Sequence, residues 1–265
     1  MHRGVTIKGM ALMLAASVPA IAGAHTLALD VNYETYTHNM GPAYSETLAF
    51  TSAPGGAVRT VAYLEHRRWR LAGQWQDGTT AQLAAYYDVT PAVYGVSQVQ
   101  GADNTYLFPR FSAYQELGYK FGSRRQWALG AGVGYLAFKG GRSYPFVSLG
   151  PTYWFQGGDV GYRFTRYRGS ENYNQRLYGE WSLTPRLKAG LSASEGRGFY
   201  PVCPGGVPCA TALVASRSLA VTARYQMTRT VAVKLRLQRD QLDDRASGQP
   251  VYTGNGAGVS VVYQW

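Results

Sequence analysis

The residues of this chain that could do chemistry are charged side chains placed at even spacing inside apolar stretches. Lys234, Arg236 and Asp240 alternate with Val233, Leu235 and Leu237, and Arg163, Arg176, Glu180, Lys188 and Arg224 stand in stretches of the same kind. Side chains two apart on an extended strand share a face. One face is therefore charged and the other greasy. A surface lined by arginine and lysine favours anions, and Tyr114, Trp154, Tyr167 and Tyr178, on the charged side of the same alternation, offer ring faces on which sugars stack.

Other reactive types are sparse. Cys203 and Cys209 flank a Pro/Gly-rich turn, a pattern that predicts a local disulfide in an oxidising compartment. No histidine or further cysteine lies near enough in sequence to complete a metal site, and no phosphate-binding glycine motif opens a helix. Of the four histidines, His66 in Glu65-His-Arg-Arg68 is the best candidate for a general base, ahead of His38 and of His25, and no nucleophile falls at a telling spacing from it. The sequence thus predicts no catalytic residue, metal or cofactor.

The elements that would carry the charged faces are alternating segments separated by turn residues. Short turns fall at 53–56, 90–91, 122–125, 157–159, 184–185 and 228–229, and longer connections at 38–42, 67–79, 100–106, 139–142, 169–171, 197–212 and 242–250. Regular exchange of short turns and longer loops is the habit of outer-membrane barrels. Six short turns joining seven long hairpins predict an all-β, closed, antiparallel up-and-down transmembrane barrel of fourteen strands with both termini periplasmic. Twelve is the alternative if 69–76 is loop. The apolar rows, such as Leu27, Leu29, Val31 and Tyr33, are expected to face lipid. The eight charged residues named above should line the lumen, because a charge directed into mid-membrane hydrocarbon costs about 2–4 kcal/mol.

Both ends of the chain agree with export. Arg3 and Lys8 precede an apolar run, and Ala22-Gly23-Ala24 offers a small-residue cleavage site, so residues 1–24 are expected to be a signal peptide and 25–265 the mature barrel. The chain ends Gly258-Val-Ser-Val-Val-Tyr-Gln-Trp265, an alternating strand stopping on an aromatic residue. Gly258, Tyr263 and Trp265 are its marks for recognition by barrel-assembly machinery. With 26 Lys+Arg against 15 Asp+Glu, the chain is strongly basic. On an exported protein this points to outer-leaflet lipopolysaccharide or an anionic solute rather than nucleic acid.

The segment Tyr106-Leu-Phe-Pro-Arg-Phe-Ser-Ala-Tyr-Gln-Glu-Leu-Gly-Tyr-Lys-Phe121, followed by Trp127-Ala-Leu-Gly-Ala-Gly-Val-Gly-Tyr-Leu-Ala-Phe138, resembles the YaiO family of outer-membrane β-barrels. The marks are Phe108-Pro-Arg110, then Glu116 and Tyr119, then the Gly-Val-x-Tyr-Leu-x-Phe run. The likeness extends more loosely over residues 30–196. It implies an outer-membrane barrel of the Gram-negative envelope, with relatives fused to exopolysaccharide-export proteins, and no catalytic residues to transfer. Three readings remain in play. The first is a conduit or binding barrel for polar or anionic solutes such as saccharides. The second is a closed structural or surface-interaction barrel, and the third an enzyme that modifies lipid A.

Overall fold

The computed structural model describes residues 24–37, 40–53, 58–71, 73–103, 108–138, 143–168, 172–199, 213–244 and 247–265. The predicted signal peptide, His38 and the Cys203/Cys209 pair lie outside them, apart from Ala24. Fourteen strands run in sequence: β1 (Ala24–Tyr36), β2 (Met40–Ala53), β3 (Val58–Leu71), β4 (Gln74–Asp88), β5 (Val93–Ala102), β6 (Phe111–Phe121) and β7 (Trp127–Ala137). They continue as β8 (Ser143–Phe155), β9 (Gly158–Tyr167), β10 (Tyr173–Ser182), β11 (Leu187–Phe199), β12 (Leu213–Gln226), β13 (Val231–Asp244) and β14 (Pro250–Gln264). Each pairs antiparallel with its sequence neighbours, and β14 returns to β1, so the sheet is a closed barrel with no free edge. That closure gives every strand a partner on both sides, which a wall facing lipid requires.

The seam is made by the two ends of the chain. Register from Thr26↔Gln264 to Tyr36↔Gly254 joins β1 to β14. His25 N–H donates to the Trp265 carbonyl at 3.0 Å and Trp265 N–H to the His25 carbonyl at 3.1 Å. His25 is buried there, stacked on Phe50 and tilted against Trp265.

The hairpins at the end that carries the termini are tight, and three share one device. The hydroxyl oxygens of Thr90, Thr184 and Thr228 each accept N–H bonds from the residues two and three positions later, at 3.0–3.3 Å. Local side-chain acceptors of this kind hold a short turn without needing glycine. Gly122 and Gly157 supply positive φ in two of the others.

At the far end one expectation is corrected. The connection expected over 67–79 is mostly strand: β3 runs to Leu71, β4 begins at Gln74, and Gly73 turns between them at φ 82°. Arg67, Arg68, Arg70 and Asp77 made the stretch look like loop. Here the outward face carries Arg68, Arg70 and Asp77 in place of the apolar row, so the apolar/polar alternation that betrays a strand disappears. Strand also extends into two other expected connections, β2 starting at Met40 and β11 continuing to Phe199. Fourteen strands stand and twelve does not. The outer wall is an apolar belt, with Leu29, Leu83, Leu117, Val133, Leu235 and Leu237 all exposed. A patch of that extent on a water-soluble protein would aggregate.

Candidate functional site in the barrel lumen

Glycine makes the site. Gly130, Gly132 and Gly134 give β7 an inner face without side chains, and larger groups from neighbouring strands lie across it. A Cβ added at Gly132 would stand 2.5 Å from Tyr114 Oη, and one at Gly134 would enter the Phe146 ring. Over this floor Glu116 of β6 reaches Arg163 of β9, three strands away. Arg163 Nη1 lies 2.9 Å from Glu116 Oε2 and Nη2 3.0 Å from Oε1, a bidentate pair. Tyr94 Oη donates to Glu116 Oε1 at 3.1 Å and Tyr114 Oη to Oε2 at 2.5 Å, while Arg163 Nη1 also donates to the Gly130 carbonyl at 3.3 Å. Glu116 is only 5% exposed, and its oxygens are well supplied with donors. The pair lies against the bare wall at Gly130, and space remains beside it.

That space is a cavity of about 1090 Å³. Tyr86, Tyr94, Tyr114, Tyr178 and Trp154 line it with aromatic surface, and Arg59, Lys120, Arg163 and Arg176 with positive charge. Two of these cations are committed to acids, Arg163 to Glu116 and Lys120 to Asp88 at 2.6 Å. Arg59 lies over the Tyr86 ring at 4.6 Å, and Arg176 Nε donates to Ser192 Oγ at 2.9 Å. Neither of those two makes an ion pair among the described residues.

Arg163 and Arg176 are the only two of the eight lumen candidates that line this cavity. Glu180 shares the Arg176 and Tyr178 face of β10, and the register carries that face through Glu180↔Gly190, Lys188↔Arg224 and Arg224↔Lys234. Directly paired residues project to the same side of a sheet, so a second, basic wall forms on β11 to β13. There Lys188 Nζ meets Glu180 Oε1 at 3.3 Å. Arg236 donates to Gln238, which donates to Asp240, a ladder of alternate residues along β13. Tyr94, Lys120 and Arg59 are cavity side chains the sequence reading did not pick out, and Glu116 entered it only as a mark of the family resemblance. The available signal was the glycine face of β7, which implies large partners from adjacent strands.

At the end away from the termini the lumen turns apolar. Met40, Ala43, Trp69, Val214, Leu242 and Tyr252 are buried together on the inner wall, with Tyr36 packed against them. Trp69 Nε1–H donates to the Gly41 carbonyl at 3.2 Å. Beneath this cluster Arg67 pairs with Glu34, which also accepts from Tyr36 Oη.

His66 is on the outer wall, opposite Glu46 in the β2–β3 register, with Nδ1 3.3 Å from Thr79 Oγ1. No hydrogen bond joins Glu46 to the ring among the described residues, so the carboxylate does not orient the imidazole. Nor do three His, Cys, Asp or Glu side chains gather as metal ligands there.

Solved structures share this architecture at low identity. A monoaromatic hydrocarbon channel, CymD, matches with a TM-score of 0.59 at 10% identity, covering 99% of this chain and 93% of its own. A bacterial polysaccharide outer membrane secretin matches at 0.53 and 11%, covering 93% and 100%, and OprB of Pseudomonas putida at 0.51 and 11%, covering 98% and 97%. Such likeness shows a fold, here that of outer-membrane barrels. No curated protein matches the sequence. The YaiO membrane beta barrel domain matches residues 24–179, well over half of the chain, so this outer-membrane barrel belongs to the YaiO family.

Proposed function

We propose that the barrel binds and conducts polar, anionic solutes, with acidic oligosaccharides the preferred class. The observation that carries this reading is the lumenal cavity, where tyrosines and Trp154 present ring faces beside Arg59 and Arg176, which make no ion pair with a described residue. A saccharide needs both apolar ring contact and directed hydrogen bonds, and the basic wall of Lys188, Arg224, Lys234 and Arg236 would repel cations from the same space. Fold alone does not choose the solute, since a hydrocarbon channel and a polysaccharide secretin share it. Both termini and the tight turns are assigned to the periplasm, and the longer connections to the cell exterior, as the short-turn rule for these barrels has it.

A second reading, a closed barrel acting through its surface, draws on the apolar cluster around Trp69 and Tyr252. An outer-membrane enzyme is disfavoured because His66, held by Thr79, has no hydrogen bond to a carboxylate among the described residues. The deciding experiment is single-channel conductance of the refolded mature protein in a planar bilayer under a salt gradient. Anion-selective openings that acidic oligosaccharides block, and that lose selectivity in Lys234→Leu/Arg236→Leu, support the conduit. A folded barrel that never conducts supports closure.

A further inference from the structure

Exposed arginines without an ion-pair partner among the described residues cluster on one flank of the outer wall, at one height. Along β9, β11, β12 and β13 the outward face is apolar from the terminal end up to Phe164, Ala193, Leu219 and Leu237, and there changes to charge. The register places Tyr173 between Arg166 and Arg197, Glu195 against Arg217, and Leu219 against Arg239, all on that outward face. Arg166, Arg197, Arg217 and Arg239 each stand eight to ten residues from the terminal end of their strand. At about 3.3 Å per residue and a tilt near 40°, that is roughly 20–25 Å up the wall, the height of the hydrocarbon belt. Arg168 follows two residues beyond Arg166.

All five arginines are exposed, and none makes an ion pair with a described residue. On the opposite flank the outward arginines are two, Arg68, paired with Asp77 at 2.7 Å and lying over Trp75, and Arg70, whose Nε donates to the Gly73 carbonyl at 3.5 Å. Among the described residues Glu195 and Asp243 are the outward carboxylates on the arginine flank, fewer than its arginines. Arg197 is further held over the Tyr173 ring at 5.8 Å. Five guanidinium groups at the top of an apolar wall, aimed away from the lumen, suit a ligand that brings acyl chains and anionic headgroup oxygens together.

We propose that this flank is a binding site for the phosphorylated headgroup of an outer-leaflet glycolipid, lipid A, whose chains lie on the apolar belt below and whose phosphates accept bidentate bonds from Arg166, Arg217 and Arg239. The inference rests on the assignment of this end of the barrel to the cell exterior.

The test uses the full mature protein and an Arg166→Gln/Arg217→Gln/Arg239→Gln variant, both shown to be folded by heat-modifiable gel mobility. Retention of each is measured on phosphatidylcholine vesicles carrying diphosphoryl lipid A, dephosphorylated lipid A, or phosphatidylglycerol at equal charge. The site predicts tight retention of the wild type on diphosphoryl lipid A only, weakened about tenfold or more in the variant. Equal retention of the variant, equal retention on dephosphorylated lipid A, or equal retention on phosphatidylglycerol overturns it. An epitope inserted at Ser247 reports orientation separately: antibody binding on intact cells supports the exterior assignment, and labelling only after permeabilisation removes that assignment whatever the vesicles show.

Discussion

Glu116 and Arg163 illustrate what a single pair of side chains does in a barrel wall. Because Arg163 is only a fifth exposed, Glu116→Gln leaves a cation without its counter-charge in a site built for both. The expected loss is about 3 kcal/mol, read as a lower urea midpoint of the refolded barrel. Adding Arg163→Gln should recover part of that loss, since the stranded charge is then gone. A double variant as unstable as the sum of its parts would mean the two residues act separately. The pair was hard to see in the sequence, where 47 positions separate its members. Arg163 lines the lumenal cavity, yet nothing in alternation says which strands a long side chain will cross. The absence of side chains at Gly130 and Gly132 decides that, and it becomes legible only once β6 to β9 are in register.

Single elements were readable where lipid imposes a rule and obscure where it does not. Strands such as β7 and β13 alternate cleanly because one face meets hydrocarbon along most of their length. The upper parts of β3 and β4 lie beyond that constraint, and Arg67 to Asp77 reads as loop although it is a continuous hairpin. Its turn depends on Gly73, held at φ 82° with nothing within 4 Å of a Cβ. Gly73→Val should therefore cost about 1–2 kcal/mol through backbone conformation rather than through a clash. Thermal unfolding of the variant checks this, and an unchanged midpoint would show that the turn relaxes freely. The threonine turns escaped this difficulty, since Thr90-Pro91 and Thr184-Pro185 announce themselves in the sequence.

For the whole molecule the two ends of the lumen are chemically unlike. The cavity is polar, lined by four cations and by the acids Asp88, Glu116 and Asp159, whereas the mouth beside β1, β2, β3 and β12 to β14 is narrowed by Met40, Trp69, Leu242 and Tyr252. Trp69→Ala with Tyr252→Ala should raise single-channel conductance several-fold if that cluster limits flow, with ion selectivity unchanged because the basic wall is untouched. Unchanged conductance would place the constriction elsewhere. The pairing of His25 with Trp265 also carries a consequence for timing. The first strand of the barrel finds its last neighbour in the final residues of the chain. No prefix of the polypeptide can close, and a partial sheet would present unpaired backbone to lipid. β14 must therefore be present before the barrel can close in a membrane, and its assembly has a waiting period in which β1 has to be kept from every other strand edge it meets.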